Sequence, residues 1–111
     1  MKPETLNFFE RVYDVVRLIP FGRATSYGAI AKYLGAARSS RLVGYAMNSS
    51  HDKEVPAHRV VNRNGLLTGR SHFPKPDFMK NKLMAEGVLI DDNCVVNLNK
   101  YIWDPIKDLT L

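Results

Sequence analysis

The sequence predicts a mainly α-helical domain with small β elements, built on a winged-helix-like helix-turn-helix. Three observations carry that prediction. Apolar residues recur at helical spacing near the start, at Leu6, Phe9, Val12, Val16 and Ile19. Two short helical stretches follow, joined by a tight turn containing Gly35. Strand-like residues come only in short groups, at 58–61, 66–67 and 88–96.

Each element follows in order. Residues 5–18 read as an amphipathic helix that Thr5 caps and that Pro20 and Gly22 stop. The hydroxyls of Thr25-Ser26 precede a short helix with Ile30, Ala31 and Leu34 inward, which Gly35 ends. Ser39 or Ser40 caps a second short helix through Arg41, Val43, Gly44, Ala46 and Met47. Residues 58–61 form a short strand, Asn62-Arg63-Asn64-Gly65 a turn, and Leu66-Leu67 continue extended. Residues 68–74 have no period and read as a loop. Pro76 and Asp77 open another helix, with Phe78, Leu83 and Met84 on its apolar side and Gly87 as its stop. Val88-Leu89-Ile90 and Cys94-Val95-Val96 make a hairpin around Asp91-Asp92-Asn93. The tail from Tyr101 to Pro105 is an irregular segment pinned by its aromatics.

At 111 residues the chain is one domain, 1–111, expected to act as a monomer. No apolar run is long enough to span a bilayer, and the start shows no signal-peptide pattern. The single cysteine, Cys94, excludes an intramolecular disulfide. A cytoplasmic location is expected, nucleoid-associated in a bacterium. His51, His58 and His72 have no familiar ligand spacing, so neither metal nor cofactor is expected. The net charge of +5 favours an anionic partner, nucleic acid first. Basic residues gather mid-chain, at Lys32, Arg38, Arg41, Arg59, Arg63 and Arg70, and acids lie largely at the ends.

Two stretches carry candidate chemistry. In the second short helix, Arg41 lies near the start and Gly44 about a turn later. Glycine inside a helix costs ~1 kcal/mol relative to alanine, so its presence suggests close approach of the backbone to another surface. That surface is either a neighbouring helix or an external partner. The helix offers few long polar side chains for reading bases, which favours sequence-independent contact. In "VPAHRVV", Pro56 forces a turn that presents His58 and Arg59 beside Ala57. Histidine there either orients a neighbour, activates a water or serves structurally.

The segments "IPFGRATSYGAIAKYLG", "SRLVGYAMNSS", "VPAHRVVNRNG" and "KLMAEGV" occur in order. Together, over roughly residues 6–90, they resemble the DNA-binding domain of O6-alkylguanine-DNA alkyltransferases. That family carries Pro-Cys-His-Arg, and its cysteine accepts the alkyl group. Ala57 stands in the cysteine's place, as in the alkyltransferase-like proteins, which carry another residue there. The start close to the DNA-binding domain and the Tyr101-x-Trp103-x-Pro105 tail are also similar to theirs.

The resemblance implies roles residue by residue. Tyr27 matches the tyrosine that helps turn out the nucleotide at its phosphate, and Arg41 the finger that fills the gap in the stack. Pro56, Ala57, His58 and Arg59 match the active-site turn, and Glu86 the glutamate behind the histidine. Arg70 matches an arginine at the lesion pocket. The asparagine that follows the recognition helix in the family falls in Asn48-Ser49-Ser50 without a clean alignment.

The implied function is a non-enzymatic sensor that binds double-stranded DNA through the minor groove and flips out O6-alkylguanine. It would shield the lesion from alkyltransferase and direct it to nucleotide excision repair proteins. Three alternatives stay open: a true alkyltransferase whose cysteine is replaced at position 57, an enzyme using Cys94, and a sequence-specific helix-turn-helix regulator.

Overall fold

The computed structural model describes residues 2–36, 38–50, 52–75 and 77–109. Helix α1 spans Pro3–Arg17 and starts two residues before the expected position. Proline suits a first turn, where its missing N–H has no partner to lose. The Thr5 and Leu6 amides instead bond to the Lys2 carbonyl, so Thr5 is not the cap. Leu6 is exposed, and the buried face runs through Phe9, Val12, Tyr13, Val15 and Val16.

Strand β1, Thr25–Ser26, leads directly into α2, Tyr27–Tyr33. The Ser26 hydroxyl caps α2, accepting from the Ala29 N–H at 3.1 Å, and Gly35, at φ 74°, turns the chain out of it. Helix α3, Ser40–Asn48, follows; Ser39 occupies its N-cap, but only through its carbonyl, which accepts from Val43. Helices α2 and α3 form the helix-turn-helix and share one core with α1, through Ile30, Ala31, Val43, Ala46 and Met47. The buried Tyr13 hydroxyl ties α1 to α3 by donating to the Ala46 carbonyl at 2.8 Å.

Only half of the expected 58–61 strand forms. Ala57–Arg59 is a 3-10 turn, closed by the Arg59 N–H on the Pro56 carbonyl, and β2 is Val60–Val61. Strand β2 pairs in parallel with β1, Thr25 opposite Val60 and Ser26 opposite Val61. Parallel pairing needs a long crossover, and α2 and α3 lie within it. The pairing joins the start of the helix-turn-helix to the Ala57 turn.

A second core gathers Ala24, Val61, Leu67, Met79, Leu83, Val88 and Val96. Residues Thr68–His72, expected as a loop, wind into a 3-10 turn with none buried. So short a turn carries no periodic apolar pattern. Helix α4, Phe78–Ala85, buries Met79 and Leu83, while Met84 is exposed. These buried positions are four apart on one face, whereas Phe78 turns sideways to stack on Phe73. The expected Pro76 start lies outside the described residues.

The hairpin expected over 88–96 reduces to a single bridge, Ile90 with Val96, while Val95 bridges instead to Leu66. The Asp91 carboxylate tightens that turn by accepting from the Asn93 and Val95 amides. The tail is more regular than expected: α5, Leu98–Tyr101, and α6, Pro105–Asp108, begin at the side-chain caps of Asn97 and Asp104. Between them Trp103 is buried, and its backbone N–H donates to the Ala24 carbonyl at 2.8 Å.

Gly65 sits at φ 84°, and a Cβ there would lie 2.1 Å from the Val96 carbonyl oxygen. We expect Gly65→Ala to lose at least ~2 kcal/mol in urea unfolding, through strain and collision together. Gly35→Ala, at φ 74° with open space around the Cβ, should lose only ~1 kcal/mol.

Candidate functional site

Three elements converge beside Ala57: the start of α2, the end of α3 at Met47 and Asn48, and the Thr68–His72 turn. On α3, Arg41, Gly44, Tyr45 and Asn48 fall at the spacing that places them on one face. Arg41 is exposed and in no ion pair among the described residues. A Cβ on Gly44 would meet nothing within 4 Å, so close packing inside the molecule does not require this glycine. Tyr45, also exposed, was not singled out from the sequence, although its place four residues after Arg41 was the available signal.

Ala57, with Tyr27, Asn48, Gly69, His72 and Phe73 among its neighbours, lines a cavity of about 30 Å³. That volume holds one water molecule. The Tyr27 hydroxyl accepts from the Thr68 hydroxyl at 3.2 Å and so spans the mouth between α2 and the Thr68–His72 turn. His72 and Phe73 were not foreseen here, because nothing in an aperiodic stretch marks which side chains turn inward. Arg70 stands apart: it is exposed, and its guanidinium donates to the Leu67 carbonyl of its own turn at 3.1 Å. Pro56, His58 and Arg59 line a wider hollow of about 650 Å³, which also reaches Ala57.

Behind the turn lies a buried ionic cluster. Arg59 donates from Nε to Glu86 Oε1 and from Nη2 to Glu86 Oε2, both at 2.9 Å, and from Nη1 to the Ile19 carbonyl. His58 Nε2 lies 2.6 Å from Glu86 Oε2, and the Gly22 N–H donates to Oε1 at 2.9 Å. The Glu86 side chain is only 5% exposed. Burial pushes its pKa up, but the bonds from Arg59, Gly22 and His58 outweigh burial and bring it down to about 2. Burial, opposed by Glu86, lowers the pKa of His58 below its ordinary value. At neutral pH the imidazole is uncharged and donates from Nε2 to the carboxylate.

This cluster removes Arg59 from the basic surface on which its sequence position had placed it. Lys32, Arg38, Arg41, Arg63 and Arg70 remain exposed. Cys94 packs against the second core, in a turn at φ 60°, and lines neither hollow. His51 lies outside the described residues. Among the described residues no group of three or more His, Cys, Asp or Glu is placed to hold a metal, and no helix is long and apolar enough to cross a membrane.

The fold and the setting of the pocket beside α3 define a helix-turn-helix DNA-binding domain. The family model "6-O-methylguanine DNA methyltransferase, DNA binding domain" matches residues 7–88. The chain belongs to that family, and within it resembles the alkyltransferase-like members. Alkyltransferase-like protein 1 of Schizosaccharomyces pombe is 38% identical over 104 residues, 89% of this chain and 96% of that protein. The DNA base-flipping protein of Escherichia coli K12 is 37% identical over 101 residues, 88% of this chain and 75% of that protein. The crystal structure of the S. pombe protein in complex with damaged DNA containing O6-carboxymethylguanine matches with a TM-score of 0.81 at 36% identity, over 95% of this chain and 100% of that one. The alkyltransferase of Mycobacterium tuberculosis in complex with DNA matches with a TM-score of 0.62 at 35% identity, over 72% of this chain and 49% of that one.

The carboxylate's depressed pKa makes stability depend on pH. Glu86 contributes fully above 4.5, and its contribution is lost as pH falls towards about 2. The depression corresponds to roughly 3 kcal/mol. Protonating His58 below its ordinary pKa of 6.5 acts in the same direction. Glu86→Gln should be less stable at pH 7 by a similar amount and show a flatter stability curve from pH 4.5 down to about 2. Urea midpoints of the two proteins that fell in parallel through that window would contradict this account.

Proposed function

We propose that the protein is a non-enzymatic sensor of O6-alkylguanine in double-stranded DNA. It approaches from the minor groove, turns the damaged base out and holds it at Ala57. The observation that carries this reading is the position of Ala57. It lines a pocket beside the exposed face of α3, inside a Pro-x-His-Arg turn whose Glu86 support is complete. Alkyl transfer to sulfur needs a thiolate at that point, and an alanine methyl group supplies none.

Turning out a base costs a few kcal/mol of stacking and pairing, less for a damaged base that pairs badly. Arg41 offsets that cost by entering the stack, and Gly44 lets the α3 backbone approach the groove. Tyr27 presses on the phosphate beside the flipped nucleotide. A cavity of about 30 Å³ is too small for a base, so the pocket opens on binding. The wall that yields is the Thr68–His72 turn, which buries none of its residues. Arg70 on that turn meets the lesion at the lip. The held lesion is shielded from alkyltransferase and passed to nucleotide excision repair.

The rival helix-turn-helix regulator finds less support. Exposed side chains on the outer face of α3 able to address base edges are Arg41, Tyr45 and Asn48, a poor set for sequence reading. The position of Cys94, packed against the second core and lining neither hollow, likewise favours binding over transfer.

A competition between O6-methylguanine and guanine duplexes, at stated salt, tests the reading. The lesion should win, and the protein's mass should not change. Arg41→Ala should weaken lesion binding by about tenfold or more; unchanged lesion affinity would remove the arginine from the flipping step. Gly44→Ala should stabilise the fold by up to ~1 kcal/mol yet weaken DNA binding, because the new methyl group points into open space. Opposite signs for stability and affinity are the outcome to look for.

A further inference from the structure

Helix α4 does not confine its apolar residues to its buried face. Met79 and Leu83 enter the second core, while Phe78 is half-buried and Met84 and Ala85 are exposed. A surface helix ordinarily turns a charged and polar face outward, and one that is apolar on several sides is ordinarily covered. Phe78, Asn81, Lys82 and Ala85 follow the spacing of a single stripe along α4. With Lys75 and Asp77 they line a groove of about 560 Å³. Phe78 and Lys82 form the ridge between this groove and the hollow beside Ala57. None of the lining residues belongs to α2, α3 or the Thr68–His72 turn, so DNA held by those elements leaves the groove free.

Shape and charge select the occupant. The stripe is roughly 12 Å long, about two turns of a helix laid along it. The ring of Phe78 is an apolar wall at one end, and the small side chain of Ala85 lets another backbone come close at the other. Exposed Met84, three residues after Asn81, borders the stripe and adds adaptable apolar surface. Lys75 and Lys82 are exposed and in no ion pair among the described residues. The Lys82 ammonium lies 5.9 Å from the Phe78 ring centroid, so charge and apolar wall are presented together. The one acid of the lining, Asp77, holds the N-cap position of α4, where the helix dipole already favours negative charge. A phosphate backbone would use the two cations and gain nothing from the apolar wall.

We propose that this groove docks an acidic amphipathic helix of a partner protein. One large apolar side chain of that helix packs against Phe78, and its carboxylates meet Lys75 and Lys82. The surface is separate from the lesion pocket, and either can exist without the other.

A synthetic peptide of about 16 residues, long enough to hold a helix, serves as the probe, with leucine and phenylalanine on one face and glutamate on the other. Fluorescence anisotropy should show saturable binding to the full chain, weakened about fivefold or more when the glutamates become glutamine. Ala85→Arg should weaken the peptide by about tenfold or more, and Lys75→Glu by about fivefold at low salt. Both positions are exposed and outside the two cores, so both variants should fold. Their affinity for guanine and O6-methylguanine duplexes should stay within about twofold of the parent's. Absence of saturable binding, or equal binding of the glutamine peptide, would overturn the proposal. Duplex affinity falling as far as peptide affinity in Lys75→Glu would assign the groove to nucleic acid instead. Self-association of the parent protein that Ala85→Arg abolishes would assign it to a second copy of this chain.

Discussion

The carboxylate of Glu86, just past the end of α4, takes hydrogen bonds from Gly22, His58 and Arg59. Those partners come from the loop after α1 and from the turn that carries Ala57. Arg59 extends the cluster to the Ile19 carbonyl. A buried charge is tolerable only when its oxygens are fully engaged, and here both oxygens are. The geometry of the Ala57 turn follows from this one group. Beside Ala57, which carries no titratable group, the cluster's work is mechanical: it holds the turn in place.

The β1–β2 pairing adds a second constraint from the opposite side. Thr25 opposite Val60 and Ser26 opposite Val61 bring the cap of α2 against the residues that leave the turn. Tyr27 and Ala57 are thus carried by one frame. The Thr68–His72 turn closes the pocket by lighter means, with a hydroxyl pair at 3.2 Å and one aromatic stack. The two walls of the pocket differ in what each buries.

The sequence and the structure agree where information is local. Ser26 before an apolar stretch, Gly35 after it and the small residues of α3 mark the helix-turn-helix without help from tertiary contacts. The Ala57 turn was legible for the same reason, since Pro56, His58 and Arg59 are consecutive. What escaped was long-range or too short for a period. Strand β1 has two residues and exists only because β2 meets it. The bond from the Gly22 amide to Glu86 crosses 64 positions and uses a backbone group that no side-chain pattern reveals. The apolar face of α4 was misjudged at Met84, because eight residues give little over two turns in which to fix a phase. Arg59 was counted as surface charge because composition cannot distinguish a solvated arginine from one neutralised by a distant glutamate. Phe73 turns onto Phe78 and the second core, contacts that no local pattern marks, and His72 beside it lines the pocket.

The Thr68–His72 turn buries none of its residues, yet it walls the pocket. Substitutions there change the shape and charge offered to a ligand while leaving both cores and the Glu86 cluster untouched. A change in this turn can therefore alter the pocket without endangering the fold. The residues that shape this wall and the residues that pack the two cores are different sets.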